Sequence, residues 1–292
     1  MELPLVVGVD GSDGSLAAVD WAVDEAARLG VPLRLVYASL WERYEGALPF
    51  RGLERPSEQV MADSVVGTAA ERAHRRNPEV KVVSTEVILA EASDALLREG
   101  HNACALVTGS RGRGELTGLL LGSVSLAVAA RAHCPVIVVR GDRAGLAGTH
   151  ERILLGAGDP ASAGEAVRFA FQEAESRGCT LDAVRAWRCP AHESADHPRP
   201  AEDPTHDHEH RASALLDAVL HDASADHSGV RVRRTTVEGS ARKVLLDRSA
   251  AADLVIVGAR RRSGHFGLQL GRVGHTLLHH AQCPVAVVPQ RV

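Results

Sequence analysis

The stretch Gly109-Ser-Arg-Gly-Arg-Gly-Glu-Leu-Thr-Gly-Leu-Leu-Leu-Gly-Ser-Val-Ser125 has a second copy later in the chain, Gly258-Ala-Arg-Arg-Arg-Ser-Gly-His-Phe-Gly-Leu-Gln-Leu-Gly-Arg-Val-Gly274. The two copies belong to a longer repeat. Residues 105–140 align with residues 254–289 without a gap, and 14 of these 36 positions are identical. A displacement of half the chain indicates two copies of one domain, because the units of solenoid proteins are only about 20 to 50 residues long.

Short apolar runs alternate with stretches of helical periodicity on both sides of this repeat. In the first copy, strands are predicted at 5–10, 33–38, 80–89, 104–108 and 135–140, and helices at 16–29, 57–76, 93–100 and from the glycine stretch to 132. Short buried strands that alternate with helices are typical of a parallel sheet. We therefore expect two tandem doubly wound α/β domains, 1–141 and 152–292, joined by a polar, glycine-rich linker at 142–151.

The composition excludes several classes of function. The formal net charge of −4 leaves no basic field for nucleic acid or for an anionic membrane. The five cysteines form no C-x-x-C pair, no apolar run reaches the length of a membrane span, and the N-terminus lacks the basic start of a signal peptide. A cytoplasmic protein that contacts neither membrane nor nucleic acid is the simplest expectation.

The glycine stretch has two interpretations. Gly109 and Gly112 allow the backbone to turn and to approach a ligand closely, and Ser123 begins the next helix, where free N–H groups favour an anion. Asp10 ends the first strand and would face this loop at the carboxyl edge of the sheet, the usual ligand site of such folds. The same glycines could also serve backbone geometry alone. The spacing by itself leaves both interpretations open.

A family resemblance favours the first interpretation. Gly109-x2-Gly112-x9-Gly122-Ser123 resembles the ATP-binding pattern of the universal stress protein family at every specified position. The opening Val6-Val-Gly-Val-Asp-Gly-Ser12 and the closing Cys134-Pro-Val-Ile-Val-Val139 are also similar to that family. The resemblance covers nearly the whole chain as two tandem domains.

The resemblance implies the strand order 3-2-1-4-5 and a site between strands one and four for ATP, either alone or with Mg²⁺. It also implies a regulatory protein with little or no turnover, hence not an enzyme, whose two domains pair through their fifth strands. A homodimer and a protein partner are left open. The implied ligand-binding residues are Gly8, Val9, Asp10, Ala38, Thr108, Gly109, Arg111, Gly112, Gly122, Ser123, Val124 and Ser125. For Val9, Ala38 and Val124 the alternative is ordinary core packing, and for Ser125 it is a cap or solvent.

The second copy departs from the family pattern at three positions. Arg261 stands where the first copy has Gly112, Arg272 where it has Ser123, and Gly158 where it has Asp10. We therefore expect no ATP in the second domain. The alternative is a different anion site, built from Arg260, Arg261, Arg262 and Arg272.

Three further alternatives remain open. The first is a slow ATPase or nucleotidyl transferase, because residues 10–15 faintly resemble the loop of ATP pyrophosphatases. The second is a nucleotide-independent scaffold that binds partners through loops 40–55 and 188–211. Loop 40–55 carries Trp41, Tyr44 and Phe50. The third concerns the His-rich segment 189–211, whose composition predicts either a transition-metal site or a solvated loop.

Overall fold

The computed structural model describes residues 2–38, 58–88, 90–112, 121–160, 163–188, 204–260 and 270–290. Contacts between Cα atoms divide these residues after Arg140 into an N-terminal domain and a C-terminal domain. The strands of the N-terminal domain are β1 Leu5–Gly8, β2 Leu33–Ala38, β3 Val82–Ile88, β4 Ala105–Gly109 and β5 Val136–Val139. Its helices are α1 Asp13–Leu29, α2 Glu58–Arg76, α3 Ala92–Glu99 and α4 Ser123–Arg131.

The C-terminal domain repeats this order after one additional helix, α5 Arg143–Ala147. Its strands are β6 Arg152–Gly156, β7 Thr180–Trp187, β8 Arg231–Glu238, β9 Leu254–Arg260 and β10 Val285–Gln290. Its further helices are α6 Gly164–Arg177, α7 Pro204–Asp226, α8 Ala241–Ser249 and α9 Arg272–His280. All described strand pairs within each domain are parallel, and they give the orders β3-β2-β1-β4-β5 and β8-β7-β6-β9-β10. Both orders are 3-2-1-4-5, as the resemblance implies.

Helices cover both faces of the sheet in the N-terminal domain. Every residue of β4 and β5 is buried, which a strand achieves only when both of its faces are covered. A Cβ atom added to Gly8 would meet Leu96 of α3, whereas a Cβ atom added to Gly109 would meet the first turn of α1. Because β1 and β4 run in register, these two positions point to opposite faces. The doubly wound α/β fold is therefore confirmed.

Two segments differ from the sequence-based expectation. Part of the predicted linker is helix α5, which begins at the N-cap Asp142 and ends at Gly148 in a left-handed conformation. Gly141 and Gly145 lie against Gln282 and Cys283, so this segment packs on the C-terminal domain. The described end of the His-rich segment is the beginning of α7. Residues 189–203 and the aromatic loop 40–55 lie outside the described residues.

Among the helices that the structure describes, none combines the length and the apolar composition that a membrane span requires.

Candidate functional site

Asp10 lies just beyond the carboxyl end of β1 and is held by Ser12. The backbone N–H and the hydroxyl of Ser12 donate hydrogen bonds to Asp10 Oδ1, at 2.9 and 2.6 Å. Gly11, between them, has a φ of +80°, a conformation that favours glycine. Asp10 Oδ2 faces Gly112, because a Cβ atom added to Gly112 would lie 2.6 Å from this oxygen. The strand-one carboxylate and the glycine loop thus meet directly, as the sequence predicts.

The glycine loop after β4 lies against the first turn of α1. A Cβ atom on Gly109 would meet the carbonyl oxygen of Gly14, and one on Gly14 would lie 2.5 Å from the carbonyl oxygen of Arg111. No side chain beyond glycine fits between these two backbones without displacing one of them. The Arg111 side chain is exposed at this edge. Gly14 was not among the predicted site residues, although its position two residues after Ser12 places it in the first turn of the helix.

Helix α4 begins beside this loop with backbone donors that have no partner among the described residues. Its N-cap is Gly122, which has no side chain to supply a capping bond. The Gly122 N–H donates to the Ser110 carbonyl at 2.8 Å. The first intrahelical bond runs from the Leu126 N–H to the Gly122 carbonyl, so the N–H groups of the preceding turn have no partner in the helix. Ser123, the first residue of α4, is exposed. Free N–H groups with an adjacent hydroxyl suit an anion such as phosphate.

Ser125 and Val124 lie deeper than Ser123. The Ser125 hydroxyl donates to the Gly109 carbonyl at 2.7 Å and is buried, which attaches α4 to the end of β4. Val124 is half-buried. The structure therefore gives the Ser125 hydroxyl a role in the fold, and a ligand contact for this residue stays a prediction.

Four predicted residues lie at the strand ends behind the loops. Gly8 lies against Leu96. Val9 is buried and donates its N–H to the Val36 carbonyl at 2.9 Å. Ala38, the last residue of β2, is half-buried. Thr108 is buried at the end of β4, and its hydroxyl has no hydrogen-bond partner among the described residues. A buried hydroxyl without a partner is costly, and a ligand that reached it would remove that cost. This hydroxyl therefore suits a polar ligand.

Ser12 was not among the predicted ligand-binding residues. It does cap α1, since its hydroxyl accepts a hydrogen bond from the Ser15 N–H at 3.2 Å. Its two bonds to Asp10 are the additional role. The Asp-x-Ser spacing at the end of a strand is a local signal for such a turn and could have identified it.

The C-terminal domain builds the same edge differently. The strand registers place Gly156 at the position of Gly8, so Gly158 replaces Asp10 and Pro160 replaces Ser12. Arg185 occupies this edge instead, donating to the Gly158 carbonyl at 2.6 Å and to Asp159 Oδ1 at 3.3 Å. The pattern of the first domain, a carboxylate held over a glycine loop, is missing from the described residues of this edge.

A buried glutamine separates β9 from α6 in the C-terminal domain. Gly258, the counterpart of Gly109, has the Gln290 side chain as its nearest neighbour. Gln290 Oε1 accepts a hydrogen bond from the Glu165 N–H at 3.2 Å, so the amide satisfies a donor in the first turn of α6. In the N-terminal domain the helix and the strand touch at this place through Gly14 and Gly109.

The predicted arginine cluster is described only in part. Arg272 is the first residue of α9 and is exposed. Arg260 ends β9, and Arg261 and Arg262 lie outside the described residues. An anion site at these arginines stays a prediction.

The histidines of the segment 204–211 lie on α7. The rings of His206 and His210 are 6.2 Å apart, and His208 stacks on Trp187 at 6.3 Å. Within the described ranges, no three His, Cys, Asp or Glu side chains come together in a way that could hold a metal ion.

Comparisons with known proteins agree with the repeat and the fold. Residues 3–140 and 149–289 each match the sequence model of the universal stress protein family. The chain is 30% identical over 294 residues to the universal stress protein Rv2623 of Mycobacterium tuberculosis H37Rv, which covers 98% of this chain and 96% of that protein. It is 32% identical over 309 residues to the universal stress protein Rv2005c of the same organism, with 98% and 97% covered.

A solved structure shows the same fold over both domains. The crystal structure of a universal stress protein from Archaeoglobus fulgidus DSM 4304 matches with a TM-score of 0.68 and 17% identity, and covers 98% of each chain.

Proposed function

Because the chain belongs to the universal stress protein family, we propose that its N-terminal domain binds ATP as a regulatory ligand and turns it over little or not at all. The observation that carries this proposal is the contact between Asp10 and Gly112. In this contact a hydrogen-bond acceptor lies at the same edge of the sheet as the first N–H groups of α4, which have no partner within the part of the chain that the structure describes. A nucleotide needs both, since its sugar and base donate hydrogen bonds and its phosphates accept them.

Each part of the site has a role in this proposal. Asp10 accepts hydrogen bonds from the ribose or the base, and the N–H groups at the start of α4, with the Ser123 hydroxyl, donate to the phosphates. Gly109 and Gly112 keep the loop close to the carboxylate, and the exposed Arg111 adds positive charge beside the phosphates. The Thr108 hydroxyl gains a partner. If Mg²⁺ accompanies ATP, it neutralises phosphate charge, and Asp10 and Asp13 supply carboxylates at this edge.

Copurified nucleotide and direct titration test the proposal. The protein is purified without added nucleotide and denatured, and the supernatant is analysed by ion-exchange chromatography. ATP is then titrated into nucleotide-free protein by calorimetry, with Mg²⁺ and with EDTA. We expect ATP to bind with a stoichiometry of about one per chain. A protein that releases no nucleotide and binds none on titration would overturn the proposal. Accumulation of ADP or AMP with time would favour the alternative of a slow ATPase.

The second domain supplies a matched control for the site. Gly112→Ala places a methyl group against Asp10 Oδ2. We expect it to weaken ATP binding by about tenfold or more, because the carboxylate or the loop must move. Arg261→Ala changes the corresponding position of the C-terminal domain and should leave ATP binding unchanged. Loss of binding in Arg261→Ala would show that the site is not confined to the N-terminal domain.

A further inference from the structure

The Ser12 hydroxyl donates its single proton to the Asp10 carboxylate. The distance from Ser12 Oγ to Asp10 Oδ1 is 2.6 Å, typical of a hydroxyl that donates to a carboxylate, whereas the Arg111 carbonyl oxygen lies 3.4 Å from the same hydroxyl. The hydroxyl oxygen accepts from the Ser15 N–H. Ser12 therefore serves two partners at once, the carboxylate of Asp10 and the first turn of α1.

These bonds fix the orientation of the Asp10 carboxylate. A free aspartate rotates about χ1 and χ2, so its carboxylate can point in several directions. In the structure, both donors of Ser12 converge on Oδ1, and the other, chemically equivalent oxygen lies beside Gly112. Ser12 thus fixes the direction of the carboxylate toward the glycine loop from a rigid element, the N-terminus of a 17-residue helix.

The C-terminal domain has lost this arrangement as a set. Its counterparts of Asp10, Ser12 and Gly112 are Gly158, Pro160 and Arg261. Proline has neither a backbone N–H nor a hydroxyl, so both donors are absent where the acceptor is absent. Three positions that contact one another in the N-terminal domain have therefore all changed. Helix α6 begins only at Gly164, with Ala163 as its N-cap, so the carboxylate, its donors and the cap at this position are all absent together.

We propose that Ser12 is a positioning residue of the nucleotide site: it holds Asp10 with Oδ2 toward the ligand while it caps α1. This inference rests on the proposed function and adds a residue that acts through Asp10. The Ser12 hydroxyl has two roles, the donation to Asp10 and the acceptance from Ser15, and substitutions can remove the two roles independently.

Three variants of Ser12 separate positioning from capping. Ser12→Asp keeps an N-cap acceptor but has no side-chain proton to donate and brings a second negative charge to Asp10. We expect urea unfolding close to wild type and a loss of ATP affinity of about tenfold or more. Ser12→Thr keeps both roles and should retain affinity within about threefold. Ser12→Ala loses both roles, so unfolding and affinity should both change.

Two controls connect the effect to Asp10. Asp142→Ala removes the N-cap of α5, whose side chain accepts from the Gly145 N–H, and should leave ATP affinity unchanged. In the Asp10→Ala background, Ser12→Asp should cause no further loss of affinity, because the group that it positions is gone.

The outcomes distinguish this inference from the proposed function. If wild type binds ATP and Ser12→Asp binds equally well, Ser12 does not position Asp10, and the nucleotide site stands. Additive losses in the Asp10→Ala background lead to the same conclusion, and this comparison remains decisive even if Ser12→Asp unfolds more readily. A wild-type protein that binds no adenine nucleotide overturns both the function and the inference.

Discussion

Ser123 and Ser125 lie two positions apart at the start of α4, but their hydroxyls have different surroundings. Ser125 is buried and donates to the Gly109 carbonyl at 2.7 Å. Ser123 is exposed at the first turn of the helix, whose N–H groups have no intrahelical partner. Since an α-helix rotates about 100° per residue, side chains two positions apart point about 200° apart, so one serine faces the core and the other the ligand edge.

The two serines should therefore respond oppositely to substitution. Ser125→Ala leaves a buried carbonyl without its donor, and we expect the free energy of unfolding to fall by about 1–3 kcal/mol. Ser123→Ala should leave stability within about 0.5 kcal/mol and weaken ATP binding. Urea unfolding and calorimetric titration of both variants measure the two effects. Equal stability losses in the two variants would contradict this division of roles.

An ion pair between a strand and a helix has opposite polarity in the two domains. In the N-terminal domain, Arg34 of β2 lies 2.9 Å from Glu99 of α3. In the C-terminal domain, Asp182 of β7 lies 3.0 Å from Arg248 of α8, and its other carboxylate oxygen lies 3.4 Å from the Thr235 hydroxyl. The register places Arg34 and Asp182 at corresponding strand positions. In both domains opposite charges join this strand to this helix, but the strand carries the positive charge in one domain and the negative charge in the other.

Reversing this pair in the N-terminal domain tests whether it holds the elements together. Glu99→Arg brings two guanidinium groups together at a partly buried site, and we expect a loss of about 1–3 kcal/mol in the free energy of unfolding. Adding Arg34→Asp recreates the order of the C-terminal domain and should recover most of that loss. Asp94→Arg, at the exposed pair with Arg131, is the control and should cost less than about 0.5 kcal/mol. No recovery in the double variant would show that the pair is incidental.

Element bounds were predictable where the signal is local. The sequence predicts β2 at 33–38, which is its observed range. Helix α1 ends at Leu29, the last residue of the predicted range, where Gly30 has a left-handed conformation. Helix α1 begins at Asp13 rather than at 16, because the Ser12 cap includes a first turn without apolar periodicity. Helix α5 was not predicted, because its five residues are too few to show helical periodicity and they include a glycine. Its caps, Asp142 and Gly148, are of the residue types that begin and end helices.

Burial of a thiol affects the stability of the whole molecule at alkaline pH. Cys134 precedes β5 and is buried, and this burial raises the pKa of its thiol from 9.0 to about 11, with the neighbouring Cys104 acting in the same direction. The protonated thiol is the form that the folded state favours. Below about pH 9 the thiol is protonated in both states. Between about pH 9 and 11 only the unfolded state loses the proton, so stability falls as the pH rises.

Cys134→Ala should remove this part of the pH dependence. Relative to its value at neutral pH, the stability of wild type should fall by about 2–3 kcal/mol more than that of the variant by about pH 11. Urea unfolding of both proteins across this range measures the difference. Parallel curves would show that the thiol ionises equally in the folded and unfolded states. Other groups that titrate in this range affect both proteins alike and cancel in the comparison.

At the scale of the whole chain, the sequence alone determined the duplication and the fold class, because apolar periodicity and the repeat are properties of the linear sequence. The strand order was implied by the family resemblance, and the structure shows it. The residues of the nucleotide site stay a prediction. The pairing of the two domains through their fifth strands stays a prediction.

Only the tertiary structure decided which of those residues act on one another. The Ser12 hydroxyl and the Arg111 carbonyl are 99 positions apart in sequence, and Gln290 reaches Glu165 across 125 positions. No local pattern records such contacts, because they depend on how the strands order and how closely two backbones approach. For the same reason the sequence showed that the C-terminal domain had lost Asp10, whereas the structure showed that Arg185 and Gln290 occupy this edge instead.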